Sequence, residues 1–289
     1  MPIDPEKSRQ ILRRMGSVAE YLRLPFRSRS WRGQAGNWLG VGVGSSIDFQ
    51  DHRPYLPGDD PRYIDWRAYA RTGHYTMKLY REEVSPAVDL ALDTSGSMFF
   101  DETKATRVAE LLYFAIESAR RAGSSVHCFA VDADHVRQLE VEQALAGDFG
   151  VGERPAGAPQ LGRAPWRPGS MRVFISDLLY AGSPEALLAS LSAGRARGII
   201  FAPHAAAETS PTWTGNIEFT DCETRRRRVQ LVSGDLLERY TRSYRRHFAL
   251  WREAARKHSV VLAGVPSEPP FREALHVEAL AVGAVELCA

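Results

Sequence analysis

The chain has 289 residues, 44% of them hydrophobic and 25% charged, and its 37 Lys and Arg against 35 Asp and Glu leave a formal net charge of +2. That composition is ordinary for a globular protein with a sizeable core, and the charge balance gives no sign of a nucleic-acid or membrane partner. Cys128, Cys222 and Cys288 are far apart, odd in number and free of C-x-x-C spacing, which argues against a disulfide framework or a zinc site and fits a reducing compartment.

In chain order, Ile11, Leu12, Met15, Val18, Ala19 and Leu22 recur at three- and four-residue steps, which predicts an amphipathic helix within residues 4–24 that stops before Pro25. The first residues lack the apolar core of a signal peptide, and no run approaches the roughly 18 apolar residues of a membrane span, so a cytoplasmic chain without a transmembrane segment is expected. Residues 25–44 are basic, aromatic and glycine-rich, which predicts loops and short irregular strands. A turn-rich stretch at 54–61, a short helix at 62–71 and a strand at 75–83 follow. Residues 1–85 read as an N-terminal extension, with a second domain over 86–289.

From Val88 the pattern changes to alternating strand and helix. A buried strand ends at Asp93, and a helix over 104–121 carries Val108, Leu111, Leu112, Ala115, Ile116 and Ala119 on one face. Strands at 126–131, 172–176, 198–202 and 259–265 alternate with helices at 184–195 and 235–257. This succession predicts an α/β fold, a mostly parallel sheet with helices on both faces. Residues 147–170 form a long Gly-, Pro- and Ala-rich loop. Residues 215–232 read as a hairpin around Asp221-Cys-Glu-Thr224, expected to join the strands of the extension in a small β-rich lobe.

The stretch Leu90-Ala-Leu-Asp93-Thr-Ser95-Gly-Ser97 places a carboxylate and two hydroxyls at alternate positions just past a buried strand. In open α/β sheets that edge is where ligands bind. Asp93, Ser95 and Ser97 are hard oxygen donors, suited to Mg²⁺ or Mn²⁺ rather than Zn²⁺. Capping of the following helix is the competing reading, because Asp and Ser are also good N-caps and turn formers. Arg225-Arg-Arg-Arg228 lies in the predicted hairpin turn and reads as a solvated charge run, not a nucleic-acid site. His127, His204, His247 and His258 show no ligand or triad spacing.

A strand ending Asp-x-Ser-x-Ser in this context resembles the metal-ion-dependent adhesion site of von Willebrand factor A-like domains. The resemblance implies that the two serines ligate a divalent ion, that Asp93 acts through water, and that Asp177, at the end of the strand Arg172-Val-Phe-Ile-Ser176, supplies a second carboxylate. It also calls for a threonine in the loop before that strand, where this chain has Pro159. Proline has no hydroxyl, which implies weak metal affinity, a water in its place, or loss of the metal.

Upstream, Arg53-Pro-Tyr55-Leu-Pro-Gly58-Asp59, Arg62-Tyr-Ile64-Asp65-Trp66 and Ala70-Arg71 resemble the signature of the bacterial family called domain of unknown function 58, and the likeness extends over about residues 45–265. Many members of that family are encoded near MoxR-type AAA+ ATPases and look like their A-domain partners. Residues 53–71 are expected to serve chiefly as a network of paired charges and cation–π contacts. The function implied is a non-catalytic protein–protein interaction module, with a MoxR-type ATPase or its client as partner. A metal-dependent hydrolase and a scaffold with a decayed metal site are the alternatives. The first is weakened by the absence of a Gly-x-Ser-x-Gly elbow, a placed histidine base or a phosphate-binding G-x-x-x-x-G-K-[ST].

Overall fold

A computed structural model describes residues 3–26, 49–57, 59–80, 87–150 and 157–288. Most of the predicted 25–44 loop, Gly58, the end of the predicted 75–83 strand and part of the 147–170 loop lie outside them. The chain divides into two compact units, Met1–Phe26 with Pro86–Ala289, and Arg27–Ser85.

Helix α1 (Pro5–Val18) opens on Asp4, whose side chain accepts the Lys7 N–H at 3.2 Å, with Pro5 in the first turn where its missing N–H costs nothing. It ends at Val18, not near residue 24. The chain turns through Glu20 and Tyr21, and β1 (Leu22–Arg23) pairs with Glu286–Leu287 near the other end of the chain. Leu22 belongs to the apolar run but is buried on a strand.

In the smaller unit, β2 (Phe49–Pro54) pairs antiparallel with β3 (Thr76–Tyr80), and α2 (Trp66–Thr72) lies between them in the chain. Asp65 caps α2 by accepting the Arg67 and Ala68 N–H groups, and Gly73, at φ 71°, closes it. Arg53 grips both Asp59 oxygens at 2.6 Å. Among the described rings the packing is aromatic on aromatic: Tyr69 stacks on Tyr75 with centroids 4.5 Å apart, and Trp66 stands edge-on to both.

The larger unit continues with β4 (Ala87–Asp93), α3 (Glu102–Arg121), β5 (Ser125–Val131), β6 (Val136–Leu139), α4 (Val141–Leu145), β7 (Met171–Ile175) and α5 (Glu185–Ser192). Then come β8 (Arg197–His204), α6 (Ala206–Thr209), the hairpin strands β9 (Gly215–Thr220) and β10 (Arg227–Val232), α7 (Gly234–Lys257), β11 (Val261–Pro266), α8 (Phe271–Val277) and β12 (Glu286–Leu287). Six strands form the main sheet in the order β11-β8-β7-β4-β5-β6, all parallel except the edge strand β6. From β4 the chain goes first to one side and then crosses to β7 on the other, so the topological switch point lies between β4 and β7.

Both faces are covered, which explains why the strands read as continuous apolar runs. Ala91, Phe129, Phe174 and Ile200 meet Leu187, Leu188 and Leu191 of α5 and Phe248 and Trp251 of α7. The alternate residues, including Leu92, Val173 and Phe201, turn to the opposite face, against which α3 packs. Each buried side chain of this size contributes about 1.5–3 kcal/mol, which makes the sheet a rigid platform for its carboxyl edge.

Two expectations are corrected by the packing. Helix α1 groups with the sheet instead of with residues 27–85, because buried Ser8, Ile11 and Met15 face α3, Arg14 pairs with Glu110, and the Leu24 N–H reaches Ser118 Oγ at 2.7 Å. The 215–232 hairpin forms, but among the described residues β9 and β10 pair only with each other, while β2 and β3 pair in the other unit. No β-ladder among the described residues joins the two strand pairs. The hairpin is tied to its own flank by Phe219, edge-on to Trp213 at 5.3 Å.

Candidate functional site

Strands β4 and β7 run side by side in register, Leu92 opposite Ile175, so the residues that follow emerge together at the switch point. Asp93 Oδ1 accepts the Ser95 N–H at 2.9 Å, and Oδ2 accepts the Ser176 hydroxyl at 2.6 Å. The Ser95 and Ser97 hydroxyls are 3.2 Å apart, at the start of a turn over Gly96–Phe99. Asp177 donates its N–H to Met98 Sδ at 3.1 Å and accepts the Leu179 N–H on Oδ1 at 3.0 Å. Leu178 between them has φ 59°, in the left-handed region that a branched residue avoids, and its carbonyl accepts from His247 Nε2 at 2.8 Å. Such strain costs on the order of 1–3 kcal/mol and is held where surrounding contacts impose it.

The two carboxylates are electrostatically unlike. Asp177 Oδ2 takes an ammonium hydrogen bond from Lys104 at 2.8 Å, and the same Lys104 reaches Glu208 at 2.6 Å. Lys104 is fully buried. Burial alone would lower its pKa, but Asp177 and Glu208 more than offset that and hold it above the ordinary lysine value. No cationic side chain among the described residues bonds to Asp93. Burial, reinforced by the charge of Asp177, pushes the Asp93 carboxyl up to about 7 against the pull of its hydrogen bonds to Ser176 and Ser95.

Asp93, Ser95, Ser97 and Asp177 border one recess of about 280 Å³. Asp221 and Glu223 of the β9–β10 tip close its other side. Tyr180 lines the wall, and its buried hydroxyl has no hydrogen-bond partner. Among the described residues no group of three or more His, Cys, Asp or Glu side chains is placed to hold a metal ion. A cation here would have to combine two carboxylates with hydroxyl and water oxygens. That all-oxygen set, with no cationic side chain on Asp93 and an unmet hydroxyl nearby, fits a hydrated Mg²⁺ or Mn²⁺.

The four residues singled out from sequence border the same recess, and Asp101, not Asp93 or the serines, caps α3. Pro159 is buried and does not border the recess, whereas Gly157 does. Lys104, Ser176, Tyr180 and Glu223 were not foreseen. Lys104 read as no more than the start of the 104–121 helix, and Glu223 as part of the hairpin around Asp221-Cys-Glu-Thr224, with no role at the site. Of the histidines, His258 pairs with Glu185 at 2.6 Å and His247 serves the Leu178 carbonyl.

Residues 51–144 match the model of a family described as "Protein of unknown function DUF58". That stretch runs from β2 through α4 and includes Arg53, Asp65, Asp93, Ser95, Ser97 and Lys104. Among solved structures, the crystal structure of conserved hypothetical protein BatB from Bacteroides thetaiotaomicron is similar at 13% identity, covering 68% of this chain and 98% of that one, with a TM-score of 0.38. No curated protein matches the chain. No helix among the described residues is long and apolar enough to cross a membrane.

Proposed function

We propose that this chain is a non-catalytic protein–protein interaction module. In this reading its recess takes a divalent cation on Asp93, Ser95, Ser97 and Asp177, and a carboxylate of a partner protein completes the coordination. The observation that carries the reading is the convergence of those four side chains at the switch point, with one buried carboxylate lacking a cationic partner. When bound, the cation supplies open coordination for an acidic group. The chain's residues do the rest: Ser176 and the Ser95 N–H orient Asp93, and Lys104 and the Leu179 N–H orient Asp177. Buried charges are retained where they are paired or bind something, which favours a ligand here over a passive scaffold.

A serine nucleophile needs a base in hydrogen-bond reach. The hydroxyl partner of Ser95 is Ser97, which supports recognition over hydrolysis. A MoxR-type AAA+ ATPase, or a client remodelled by one, is the partner to test first, on the strength of the family resemblance across the signature and the site.

The test is calorimetry and thermal unfolding with Mg²⁺ and Mn²⁺, followed by pull-down of the ATPase. At a hundredfold excess over the dissociation constant a cation stabilises the chain by about 2.7 kcal/mol. The expected result is a metal-dependent rise in midpoint and a pull-down lost in Asp93→Ala. Absence of heat or stabilisation, with pull-down intact in Asp93→Ala, overturns the cation bridge.

A further inference from the structure

The tip of the β9–β10 hairpin is seated in the recess by three separate features. Glu223 Oε1 accepts the Ser97 N–H at 3.0 Å, taking a donor that lies in the loop of the two serine hydroxyls. Asp221 Oδ1 accepts the N–H groups of Glu223 at 2.9 Å and Thr224 at 2.6 Å, which fixes the turn from which Glu223 projects. Gly96 leaves the room: a Cβ there would stand 2.7 Å from the Cys222 carbonyl oxygen and 3.2 Å from Glu223 Oε2. What position 96 requires is space for another stretch of backbone.

We propose that Glu223 is an internal occupant of the recess, holding the place of an acidic side chain of the partner, and that the tip lifts when the partner binds. The proposal rests on the cation-bridged reading above and adds how access to that site is set. An incoming carboxylate must approach over the serine loop, which is the face that Asp221 and Glu223 cover, and both would repel it. The hairpin can lift without disturbing the main sheet, since its described strands hydrogen-bond only to each other. Beside the tip, Arg225, Arg226 and Arg228 are exposed. This charge run draws an acidic segment toward a site whose own carboxylates would otherwise turn it away. The partner chemistry that fits is therefore an acidic peptide segment, one carboxylate of which replaces Glu223 while its neighbours meet the arginines.

The experiment compares the full chain with Glu223→Ala, which removes the internal carboxylate, and Gly96→Ala, which keeps it but evicts the tip. Mn²⁺ affinity is measured by calorimetry, and binding of a hexaglutamate peptide at saturating Mn²⁺ by fluorescence anisotropy. Hydrogen exchange is followed in the peptide containing Ser97. Losing competition from one charge-assisted hydrogen bond predicts about tenfold tighter hexaglutamate binding in both variants. Exchange at Ser97 should be faster in both, and hexaglutamate should accelerate exchange across 221–226 in the unmodified chain. Equal or weaker peptide binding in the variants, with Mn²⁺ affinity unchanged, overturns the internal occupant and leaves the cation reading standing. A loss of Mn²⁺ affinity confined to Glu223→Ala also overturns it, making Glu223 part of the cation's surroundings. No Mn²⁺ uptake by the unmodified chain overturns both.

Discussion

Strand β4 carries a buried aspartate at each end, and the protein treats them differently. Asp89, fully buried at the amino end, receives the Arg167 Nε–H at 2.7 Å, the Arg167 backbone N–H at 2.9 Å and the Ser170 hydroxyl at 2.7 Å. Arg167 in turn donates to the Val88 carbonyl and to Ser125. Asp93, at the carboxyl end, receives the Ser176 hydroxyl and the amide and side chain of Ser95, all neutral donors, and faces another carboxylate. Among the described residues the buried ammonium near it, that of Lys104, is committed to Asp177 and Glu208. A charge removed from water needs a partner, and the fold completes one end of β4 from its own residues while leaving the other short of positive charge. Asp89 reads as architecture, and Asp93 is the carboxylate that the proposed cation would complete.

Breaking the completed end should cost most. Asp89→Ala leaves a guanidinium held in place without its carboxylate, and loss of one partner of a buried pair typically destabilises by about 3–5 kcal/mol. Urea unfolding should show that loss irrespective of Mn²⁺. Lys104→Met comes next, at about 3 kcal/mol, because Asp177 and Glu208 are then left without their cation. Here Mn²⁺ should restore part of the lost stability, since a second cation can serve the same carboxylate. If added metal rescues Asp89→Ala as well as Lys104→Met, the distinction between the two ends fails.

The α/β order was legible because sheet and helix periods are written in apolar residues: the strand ending at Asp93, the 104–121 helix and the strand before Asp177 all lie within a few residues of where the pattern puts them. Polar surroundings were less legible. Nothing in the spacing of Lys104 says that it is buried while Glu102 and Thr103 beside it are exposed, because its burial depends on Asp177 and Glu208, 73 and 104 residues away. Glu223 was hidden for the same reason. A hairpin turn announces itself locally, whereas the loop it closes against is set by Gly96, whose missing side chain gives no sequence signal of what fills the space. The short strand β1 and the edge strand β6 were missed because two and four residues carry too little periodicity to separate them from loops.

At the open end, a substitution that removes charge should behave in the opposite sense to one at Asp89. Asp93→Asn keeps the size of the side chain and can still accept from Ser95, while Ser176 can turn its hydroxyl to accept from the new amide. At pH 8 in EDTA the variant should gain about 1 kcal/mol, a rise in midpoint of roughly 2–4 °C. It should also lose the Mn²⁺-dependent rise. A variant less stable than the parent in EDTA would show that Asp93 is compensated after all.

The smallest effect should come from a pair that water reaches. Arg53 holds the Asp59 carboxyl down to about 2, chiefly through their paired hydrogen bonds, with the Leu56 N–H adding to it at 2.9 Å. A carboxyl whose folded value lies below its unfolded one near 3.8 contributes stability that is complete above about pH 4 and disappears as pH falls through about 2. Solvent and salt weaken such a pair, so global unfolding should scarcely register it. The Leu56 amide should: its protection from hydrogen exchange is expected to fade between pH 4 and 2, and in Arg53→Ala to fade nearer pH 4. Protection that ignores both acid and the substitution would mean that this turn is held by something other than its ion pair. The contrast with Asp89 would then rest on burial alone, with no part left for how completely each carboxylate is partnered.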